Sequence, residues 1–588
     1  MESSKQVEKV ISTLLVNRGV VTKKQREEFF NPPHPTKITF RQVGIDKKQV
    51  ARAVARVKKA IDEKEKIIVY GDYDVDGICA AAILWETLKS LGADVLPYIP
   101  SRFTEGYGLN IESIQKLKEE DPAIGLIITV DNGIVAHEKI DFAKGLGVDV
   151  VITDHHQPAE TLPSAHAIVH TTQVSGSAVA WFFACELVAA GPVGSSSSAR
   201  ISSLNAAGAR RDSSFESEPE GSSLRVEDLR SRHPLELLAD HLGLAALGTV
   251  ADILPLVGYN RSLVYHGLEI LRKTKRPGVV AICREAGIKQ EEIDIFHIGF
   301  MIAPRLNAAG RMEHAINSLR LLCTTQKARA EMLALALGQA NRKRQESTEL
   351  AVKHIETNYS SQWTQNGLPK VLFAYHSSYE EGVVGIVAGR LVEKYYRPAI
   401  VVSYGEALSK ASARSIAGID IIDTIRKAGE GILLGAGGHP MAAGFSLESK
   451  KISEFAARLD EVMLDVPEGV FKREFRVDCD LLFAGISEEL YGVIVKFAPF
   501  GFGNPQPTFR TSEVFVQDAR LLGKQNEHLK LFVAQEKEGK GYEAIGFRMG
   551  ELYSRLDSCN PVTIIYSLEE DQWNGRKKLQ LRLRQVEL

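Results

Sequence analysis

The chain has 588 residues, of which 44% are hydrophobic and 25% charged, and its formal net charge is −2. This length predicts several domains, and the composition is that of ordinary globular cores. The near-neutral charge excludes a bulk polycation, so any nucleic-acid binding must come from local basic patches.

The spacing of the cysteines and the composition of the N-terminal residues indicate the cellular compartment. The six cysteines form no C-x-x-C pair, which argues against a disulfide scaffold or a thiolate zinc site and fits a cytoplasmic protein. The N-terminus is polar, and the most apolar stretches are broken by Glu186 and Asp252. We therefore expect neither a signal peptide nor a membrane span.

The first half of the chain predicts a helical lead-in over residues 1–50 and then an α/β domain over residues 51–325. From residue 66, apolar runs alternate with helical patterns, which predicts a doubly wound parallel sheet. The predicted strands and helices are 66–71, 78–91, 93–98, 111–120, 125–130, 136–146 and 149–153.

Residues 194–232 interrupt this domain with a Ser-rich segment that has few large apolar side chains. Such a segment buries too little surface to offset the entropy lost on ordering, so we expect a disordered insertion. A folded subdomain is the less favoured alternative.

The second half of the chain predicts a long connecting helix over residues 326–358, a second α/β domain over 359–468 and a small β-barrel over 469–588. The second domain starts with VLFAYH (371–376) and ends in the Gly-rich run GAGGHPMAAGFS. Short alternating segments separated by turns favour the barrel. Its predicted strands are 472–477, 513–517, 528–534, 543–548, 562–568 and 579–587.

Four clusters of carboxylates and histidines accompany apolar runs in the first α/β domain. In an open parallel sheet, ligands bind beyond the carboxyl ends of the strands, so four such strand ends predict one metal site. Carboxylates with one or two imidazoles suit Mn²⁺ or Mg²⁺ better than structural zinc. The clusters are KIIVYGDYDVDG (66–77), LIITVDNGI (126–134), DVVITDHHQP (149–158) and LGTVADILPL (247–256).

Each cluster is ambiguous by itself. Asp72, Asp74 and Asp76 share one face if the strand continues but fan around a cavity if a helix begins there, and an acidic turn is equally consistent. Asp131 lies in a common turn sequence. In the histidine doublet we expect one ring to ligate metal while the other faces a substrate anion. Asp252, inside an apolar run, needs a cation or hydrogen-bond donors.

The order and spacing of the clusters resemble the DHH phosphoesterase superfamily, whose motif is Asp154-His155-His156 here. Within this superfamily, the chain resembles the RecJ-type enzymes, which are bacterial single-strand-specific 5′→3′ DNA exonucleases. The resemblance covers nearly the whole chain. Its other motifs are SRFTEGYGL (101–109), APRLNAAGRM (303–312), EGVVGIVAGRLVEKYYRPAIV (381–401), SARSI (412–416), GGHPMAAG (437–444), APFGFGNPQP (498–507) and HLKL (528–531).

The resemblance implies phosphodiester hydrolysis with two Mn²⁺ or Mg²⁺ ions, in DNA repair and recombination. Asp131 would bridge the ions, Asp154 would orient His155, and His156 would contact the scissile phosphate. It also implies a DHH-associated nucleic-acid-binding domain at 359–468 and an oligonucleotide-binding (OB) fold at 469–588. The implied metal ligands are Asp72, Asp74, Asp76, Asp131, His155 and Asp252.

The substrate is expected to bind outside the metal cluster. Arg102 with Tyr107, and Ser412 with Arg414, resemble the family's pocket for a 5′-terminal phosphate. The arginine and asparagine side chains of APRLNAAGR are donors suited to phosphates, and structural salt bridges are the alternative role for them. The GGH sequence at 437–439 is expected to be a loop whose backbone N–H groups approach a phosphate. The full expected set is Arg102, Tyr107, Arg305, Asn307, Arg311, Ser412, Arg414, Gly437, Gly438 and His439.

Two other functions stay open. One is an oligoribonuclease or cyclic-dinucleotide phosphodiesterase of the same superfamily, against which the added C-terminal barrel argues. The other is a catalytically silent nucleic-acid-binding scaffold, against which the intact clusters argue. The expected partners are single-stranded DNA and a single-strand-binding protein or helicase, and we expect a monomer without membrane contact.

Two departures from the family pattern precede Asp252. His170-Thr171-Thr172 stands where the family usually has an Asn-Pro turn, and the 194–232 insertion follows. Both could displace the Asp252 loop. We expect the chemistry to survive, because residues 175–187 and the flanks of Asp252 keep the family pattern.

Overall fold

A computed structural model of the chain describes residues 2–102, 105–106, 108–191, 234–312, 314–365, 367–536, 541–556, 560–573 and 576–588. The expected disordered insertion, 194–232, lies outside these residues. Among the helices that are described, none is long and apolar enough to cross a membrane.

The chain folds into two α/β domains and a β-barrel. The α-helices are α1 (Glu2–Val16), α2 (Lys23–Phe30), α3 (Lys47–Asp62), α4 (Val75–Ser90), α5 (Ile111–Glu120), α6 (His137–Gly145), α7 (Gly176–Ala189), α8 (Pro234–Ala251), α9 (Gly258–Leu271), α10 (Pro277–Glu285), α11 (Ala303–Met312), α12 (Ile316–Cys323), α13 (Lys327–Gln365), α14 (Val384–Tyr395), α15 (Ile421–Ala428), α16 (Ile452–Met463) and α17 (Glu488–Val495). The strands are β1 (Lys66–Gly71), β2 (Val95–Tyr98), β3 (Ile124–Val130), β4 (Asp149–Asp154), β5 (Ala167–His170), β6 (Leu372–His376), β7 (Ala399–Ser403), β8 (Leu408–Arg414), β9 (Leu433–His439), β10 (Ala442–Glu448), β11 (Cys479–Asp480), β12 (Phe509–Leu522), β13 (His528–Ala534), β14 (Tyr542–Gly546), β15 (Val562–Trp573) and β16 (Arg576–Glu587).

The first domain is built on a five-stranded parallel sheet in the order β2-β1-β3-β4-β5. Alternate strand residues enter two cores. Ile67 and Val69 face a core shared with α3, α4 and α7, whereas Ile68 and Tyr70 face a core shared with α5 and α6. The predicted doubly wound parallel sheet is therefore confirmed. The parallel register places the carboxyl ends of β1, β3 and β4 side by side.

Polar caps fix where the helices around this edge begin. Asp74 is the N-cap of α4, Asn110 that of α5 and Ser175 that of α7, and each side chain accepts a backbone N–H of the first turn. Such caps satisfy donors that have no partner within the helix. Only three residues therefore separate the end of β1 from the start of α4, which keeps Asp74 and Asp76 at the edge of the sheet.

The second domain has a mixed five-stranded sheet in the order β6-β7-β8-β10-β9. Helices α13 and α14 cover one face, and α15 and α16 cover the other. The predicted long helix is present and continues beyond residue 358 to Gln365.

The prediction of a Gly-rich loop at 437–439 is wrong, because these residues belong to the edge strand β9. Gly437 pairs with Gly444, and Gly438 pairs with Ala443 of β10. A Cβ at Gly438 would lie 2.5 Å from Ala443 Cα, so the pairing there requires glycine, and the turn between the strands falls at Pro440 and Met441.

The third domain is a closed five-strand barrel in the order β12-β13-β14-β16-β15, and β15 pairs back onto β12. The predicted barrel is confirmed. The predicted strand at 472–477 is wrong: only the short β11 joins β12 there. Because β15 closes the barrel against β12, the segment before β11 has no long free edge to pair with.

The N-terminal lead-in packs into the barrel. Val10 and Leu14 of α1 share one apolar cluster with Leu490 and Phe509. Beyond α1, Arg18 donates from Nε to Asn504 Oδ1 at 2.8 Å. The beginning and the end of the chain therefore form one core.

Candidate active site

Acidic side chains gather at the carboxyl edge of the parallel sheet. Asp72 follows β1, and Asp74 accepts the Gly77 N–H at 3.0 Å as the cap of α4. Asp131 follows β3 in the left-handed backbone region, with φ of 61°. The strand ends at Gly71 and α4 begins at Val75, so the three carboxylates of GDYDVDG do not share one strand face.

Asp76, in the first turn of α4, is held by the start of α7. Gly176 N–H donates to Asp76 Oδ2 at 2.6 Å, and Ser177 N–H donates to Oδ1 at 3.1 Å. The partial positive charge of a helix N-terminus favours a carboxylate there. Sequence reasoning missed this contact, although Ser-Gly-Ser before an apolar helix is a helix-start signal.

Two glycines make room for the cluster. A Cβ at Gly176 would lie 2.5 Å from Asp131 Oδ1, and a Cβ at Gly248 would lie 2.3 Å from Asp76 Oδ1. Any other residue at either position would push a carboxylate away. These glycines were also missed, since a single glycine in an apolar helical pattern carries no signal for such an approach.

Asp154, the last residue of β4, orients His156. Its carboxylate accepts the Ile134 N–H at 2.9 Å and the His155 N–H at 2.7 Å, and lies 2.8 Å from His156 Nδ1. The expectation that Asp154 orients His155 is therefore wrong for the ring. The His155 ring, 4.6 Å from that of His156, directs its Nε2 toward the other carboxylates of the cluster instead.

The Asp154–His156 pair shifts both pKa values. Burial raises the pKa of Asp154, but the hydrogen bond and charge of His156 outweigh it, and the pKa lies below its ordinary value. Burial likewise lowers the pKa of His156, yet Asp154 raises it to about 9. His156 is therefore cationic at neutral pH.

His155 lies at the centre of the cluster. Its Nε2 is 3.0 Å from Asp131 Oδ1, 3.5 Å from Asp252 Oδ2 and 3.8 Å from Asp76 Oδ2. Among the described residues, three groups of side chains could each hold a metal ion, because the ligand atoms within a group lie within 4.8 Å of one another. Together the three groups include all six expected metal ligands. The groups are Asp131-His155-His156, Asp76-His155-Asp252 and Asp72-Asp74-Asp131.

Asp252 reaches this cluster from the end of α8, not from a strand. The expectation that LGTVADILPL is a strand end is wrong, because a short apolar run fits a buried helix as well as a strand. The Asp252 side chain is 32% exposed, so it is less buried than the apolar run suggested.

The donor set fits a divalent cation. Asp72 Oδ1 and Asp131 Oδ1 are buried without a hydrogen-bond partner, since the 3.0 Å contact of Asp131 with His155 lacks hydrogen-bond geometry. Burial and neighbouring carboxylates raise the pKa values of Asp72 and Asp131 well above the usual range, and raise that of Asp252 to about 8. Crowded oxygen ligands with such orphaned atoms suit Mn²⁺ or Mg²⁺.

A group of arginines lies next to the acidic cluster. Arg311 donates to Gly382 O at 3.3 Å. Burial, and then the charges of Arg102, Arg344 and Arg414, lower its pKa to about 10. Burial and Arg102 also lower the pKa of Arg414. Cations that repel one another in this way are stabilised by a bound anion.

Arg102 and Ser412 line one cavity of about 450 Å³ between the two α/β domains. Tyr73, between Asp72 and Asp74 in sequence, also lines it, and Arg102 lies 5.5 Å over its ring. The cavity therefore opens beside the acidic cluster.

The remaining residues that were expected to bind the substrate lie at different places. Gly437 lines the same cavity, whereas Gly438 and His439 lie at the end of the β9–β10 hairpin. Asn307 Oδ1 accepts the Val75 N–H at 3.1 Å, next to Asp74. Arg305 is bound by Glu285 at 2.5 Å, a contact that fits its structural alternative. Tyr107 lies outside the described residues.

Three family profiles match the chain. The profile described as "DHH family, N-terminal domain" matches residues 66–206, "DHHA1 domain" matches 368–465, and "RecJ OB domain" matches 477–585. The single-stranded-DNA-specific exonuclease RecJ of Bacillus subtilis is 34% identical over 98% of this chain and 67% of that protein. The chain belongs to the RecJ family.

Two solved structures from Thermus thermophilus are also similar. RecJ in complex with Mn²⁺ is 27% identical, with a TM-score of 0.76 over 99% of this chain and 78% of that chain. RecJ in complex with Mg²⁺ is 25% identical, with a TM-score of 0.70 over 99% of this chain and 77% of that chain. Relatives of this fold thus bind the two ions that the acidic cluster fits best.

Proposed function

We propose that this chain is a metal-dependent exonuclease that degrades single-stranded DNA from the 5′ end. The observation that carries the proposal is the juxtaposition of a crowded carboxylate cluster with the basic cavity around Arg102 and Ser412. Family membership supports the substrate class, and the chemistry of the two facing clusters supports phosphodiester hydrolysis.

Two ions would be held by Asp72, Asp74, Asp76, Asp131, His155 and Asp252. Asp131 and His155 each belong to two of the three ligand groups, and Asp131 would be the ligand that the two ions share. When bound, such ions lower the pKa of a water molecule and stabilise charge on the reacting phosphate oxygens.

The surrounding residues would bind and orient the phosphate. His156 carries a positive charge at neutral pH because Asp154 holds it, and we assign it to the scissile phosphate. Arg311 supplies a buried cation whose neighbours repel it, so an anion stabilises it. Asn307 fixes the start of α4 and thereby the Asp74 carboxylate.

The cavity would receive the terminal phosphate. Arg102 is a fork-shaped donor beside Ser412, and Arg414 Nη1 lies 3.2 Å from Ser412 Oγ. A phosphomonoester carries more charge than an internal phosphodiester, so this pocket favours a strand end over a continuous strand. The direction of digestion would follow from which terminal phosphate of the strand the pocket accepts. We extend the proposal to a role in DNA repair and recombination beside a single-strand-binding protein or helicase.

The test is digestion in Mn²⁺ of one oligodeoxynucleotide labelled at either its 5′ or its 3′ end. The expected result is early release of the 5′ label as a mononucleotide, with little digestion of duplex. Faster hydrolysis of a dinucleotide or a cyclic dinucleotide would favour the alternative phosphodiesterase. First release of the 3′ label would reverse the polarity, and no cleavage of any substrate would favour a silent scaffold.

A further inference from the structure

The loop that carries Asp252 is strained. The N–H groups of Asp252 and Ile253 bond to Gly248 O at 2.9 Å and Val250 O at 3.2 Å, so α8 closes just before Asp252. Ile253 then takes φ of 57°. A β-branched side chain is unfavourable in this left-handed region, and such a conformation persists only where the surroundings hold it.

The barrel holds this loop from outside the nuclease domain. Leu256 N–H donates to Phe502 O at 2.7 Å. Phe502 and Gly503 form the tip of a tight turn that is closed by two backbone hydrogen bonds between Gly501 and Asn504, of 2.9 and 3.1 Å. This turn, residues 497–504, is called the barrel turn below.

The barrel turn and the Asp252 loop are in close contact. Gly503 has φ of 75°, and a Cβ there would lie 2.9 Å from Pro255 Cβ. A side chain at residue 503 would therefore meet both backbone strain and the loop three residues after Asp252.

Arg261 fixes the barrel turn on the nuclease domain. This buried guanidinium, on α9, donates to Phe497 O at 3.0 Å, Ala498 O at 2.8 Å and Phe29 O at 2.9 Å. It also lies 4.1 Å over the Phe29 ring. A buried charge whose hydrogen bonds go to backbone carbonyls of other segments costs desolvation free energy, and its geometry locks those segments in place.

We infer that the barrel turn positions Asp252, and with it the Asp76-His155-Asp252 group. The inference rests on the proposed function in so far as Asp252 is a metal ligand. It assigns the barrel a positioning role at the reacting centre in addition to nucleic-acid binding. Gly503 and Arg261 are positioning residues, because neither touches the cluster itself.

The experiment compares Gly503→Ala with Gly492→Ala, a control in the same domain. Gly492 is exposed on α17, and a Cβ there would meet no atom within 4 Å apart from the nearby backbone of its own helix. Three quantities are measured: the Mn²⁺ dependence of the melting temperature, the Mn²⁺ concentration for half-maximal single-turnover cleavage, and the Kd for single-stranded DNA in EDTA.

Gly503→Ala should raise the half-saturating Mn²⁺ concentration about tenfold in both the melting and the cleavage titrations, which is about 1.4 kcal/mol. Excess Mn²⁺ should restore most of the rate, and the DNA Kd should change less than about twofold, because the change acts on the metal and not on the strand. Gly492→Ala should match the wild type in all three.

Arg261→Lys provides a second variant if Gly503→Ala does not fold, since it keeps the charge but loses the fork of donors. It should also raise the Mn²⁺ requirement. An unchanged Mn²⁺ titration in a folded variant, with or without weaker DNA binding, would overturn the inference and leave the barrel turn as a DNA or structural contact. A wild type without any Mn²⁺ response would overturn the proposed function as well, which separates the two failures.

Discussion

Helix α4 carries a buried ionic cluster at each end, and the two clusters are built on opposite principles. At its start, Asp74 and Asp76 join other carboxylates around His155. Near its end, Glu86 receives Arg276 through two hydrogen bonds of 2.8 and 2.9 Å and lies 2.8 Å from His241 Nε2. The second cluster pairs its central carboxylate with a buried guanidinium, whereas the first crowds several carboxylates around His155 and has its one cation, His156, bound to Asp154.

The difference is visible in the pKa values. Burial would raise the pKa of Glu86, but Arg276 and His241 lower it far below its ordinary value. Burial raises the pKa of Asp131 too, and neighbouring carboxylates raise it further. Similar burial thus gives opposite shifts, because the partners differ in sign. A buried cluster with more carboxylates than cations indicates a binding site, whereas one whose charges are matched indicates a structural role.

The comparison is tested most strongly by removing one carboxylate from the acidic cluster. Asp131→Asn should lower the rate of single-strand cleavage in Mn²⁺ at least about 10³-fold, which corresponds to roughly 4 kcal/mol of transition-state stabilisation. The physical reason is that a neutral amide cannot bridge two cations. The measurement is single-turnover cleavage with saturating enzyme.

A matched control is Asp141→Asn, which neutralises an exposed carboxylate on α6 that accepts the Ser164 hydroxyl. It should cleave at the wild-type rate. If Asp131→Asn retained more than a few per cent of wild-type activity, the bridging role would be wrong and the contrast between the clusters would lose its functional meaning.

The complete cluster should respond in stability instead of catalysis. Arg276 also pairs with the half-buried Asp240 at 2.6 Å, so Arg276→Met removes the cation of both carboxylates and should lower the free energy of unfolding by about 3–5 kcal/mol. The Mn²⁺ titration of the folded fraction should be unchanged. Urea unfolding in EDTA measures the first effect.

Arg284→Met is the control for this prediction, since Arg284 makes a surface ion pair with Glu331 at 2.6 Å and its side chain is 61% exposed. Such a pair contributes at most about 1 kcal/mol. Equal losses in the two variants would mean that the Glu86 cluster is no more structural than a surface pair.

The acidic cluster could largely be predicted from the sequence, and the Glu86 cluster could not. Asp72, Asp131 and Asp154 follow apolar runs, and the parallel sheet brings such strand ends together whatever lies between them. Glu86 and Arg276 are 190 residues apart. Each looks like an ordinary charge on a helix or in a loop, because nothing in the local pattern indicates the partner.

The same limit applies to details inside the site. The interpretation of 247–256 as a strand failed since an apolar run does not specify helix or strand. The role of Gly176 and Gly248 depends on approaches between distant helices, and the barrel turn against Pro255 joins residues far apart in sequence. Local chemistry was predictable where the fold class alone fixed the neighbours, and not where packing decided them.

The smallest expected effect concerns pH, where the two clusters should lose stability at opposite ends of the scale. The pKa of Glu86 is lowered on folding, so its contribution is present above its ordinary pKa of 4.5 and is lost as the pH falls toward the folded value. In EDTA, the acidic site should behave in the reverse sense.

The direction in which stability changes with pH at the acidic site follows from the pKa values of Asp252 and His156. The pKa of His156 is raised from 6.5 to about 9 on folding, so its contribution is present below pH 6.5 and is lost as the pH rises through 9. The pKa of Asp252 is raised from 3.8 to about 8, so the folded state holds a proton more tightly and stability falls as the pH rises toward 8.

The metal-free protein should therefore lose about 1–2 kcal/mol of stability between pH 6.5 and 9, a modest value because both side chains are partly solvated. Urea unfolding in EDTA at pH 6.5, 7.5 and 9 measures this loss. A variant with both His156→Gln and Asp252→Asn should lose less stability over this range, since neither replaced side chain titrates there. If the double variant kept the full slope, the alkaline loss would come from other groups, and the raised pKa values of His156 and Asp252 would not be what distinguishes the acidic cluster from the Glu86 cluster.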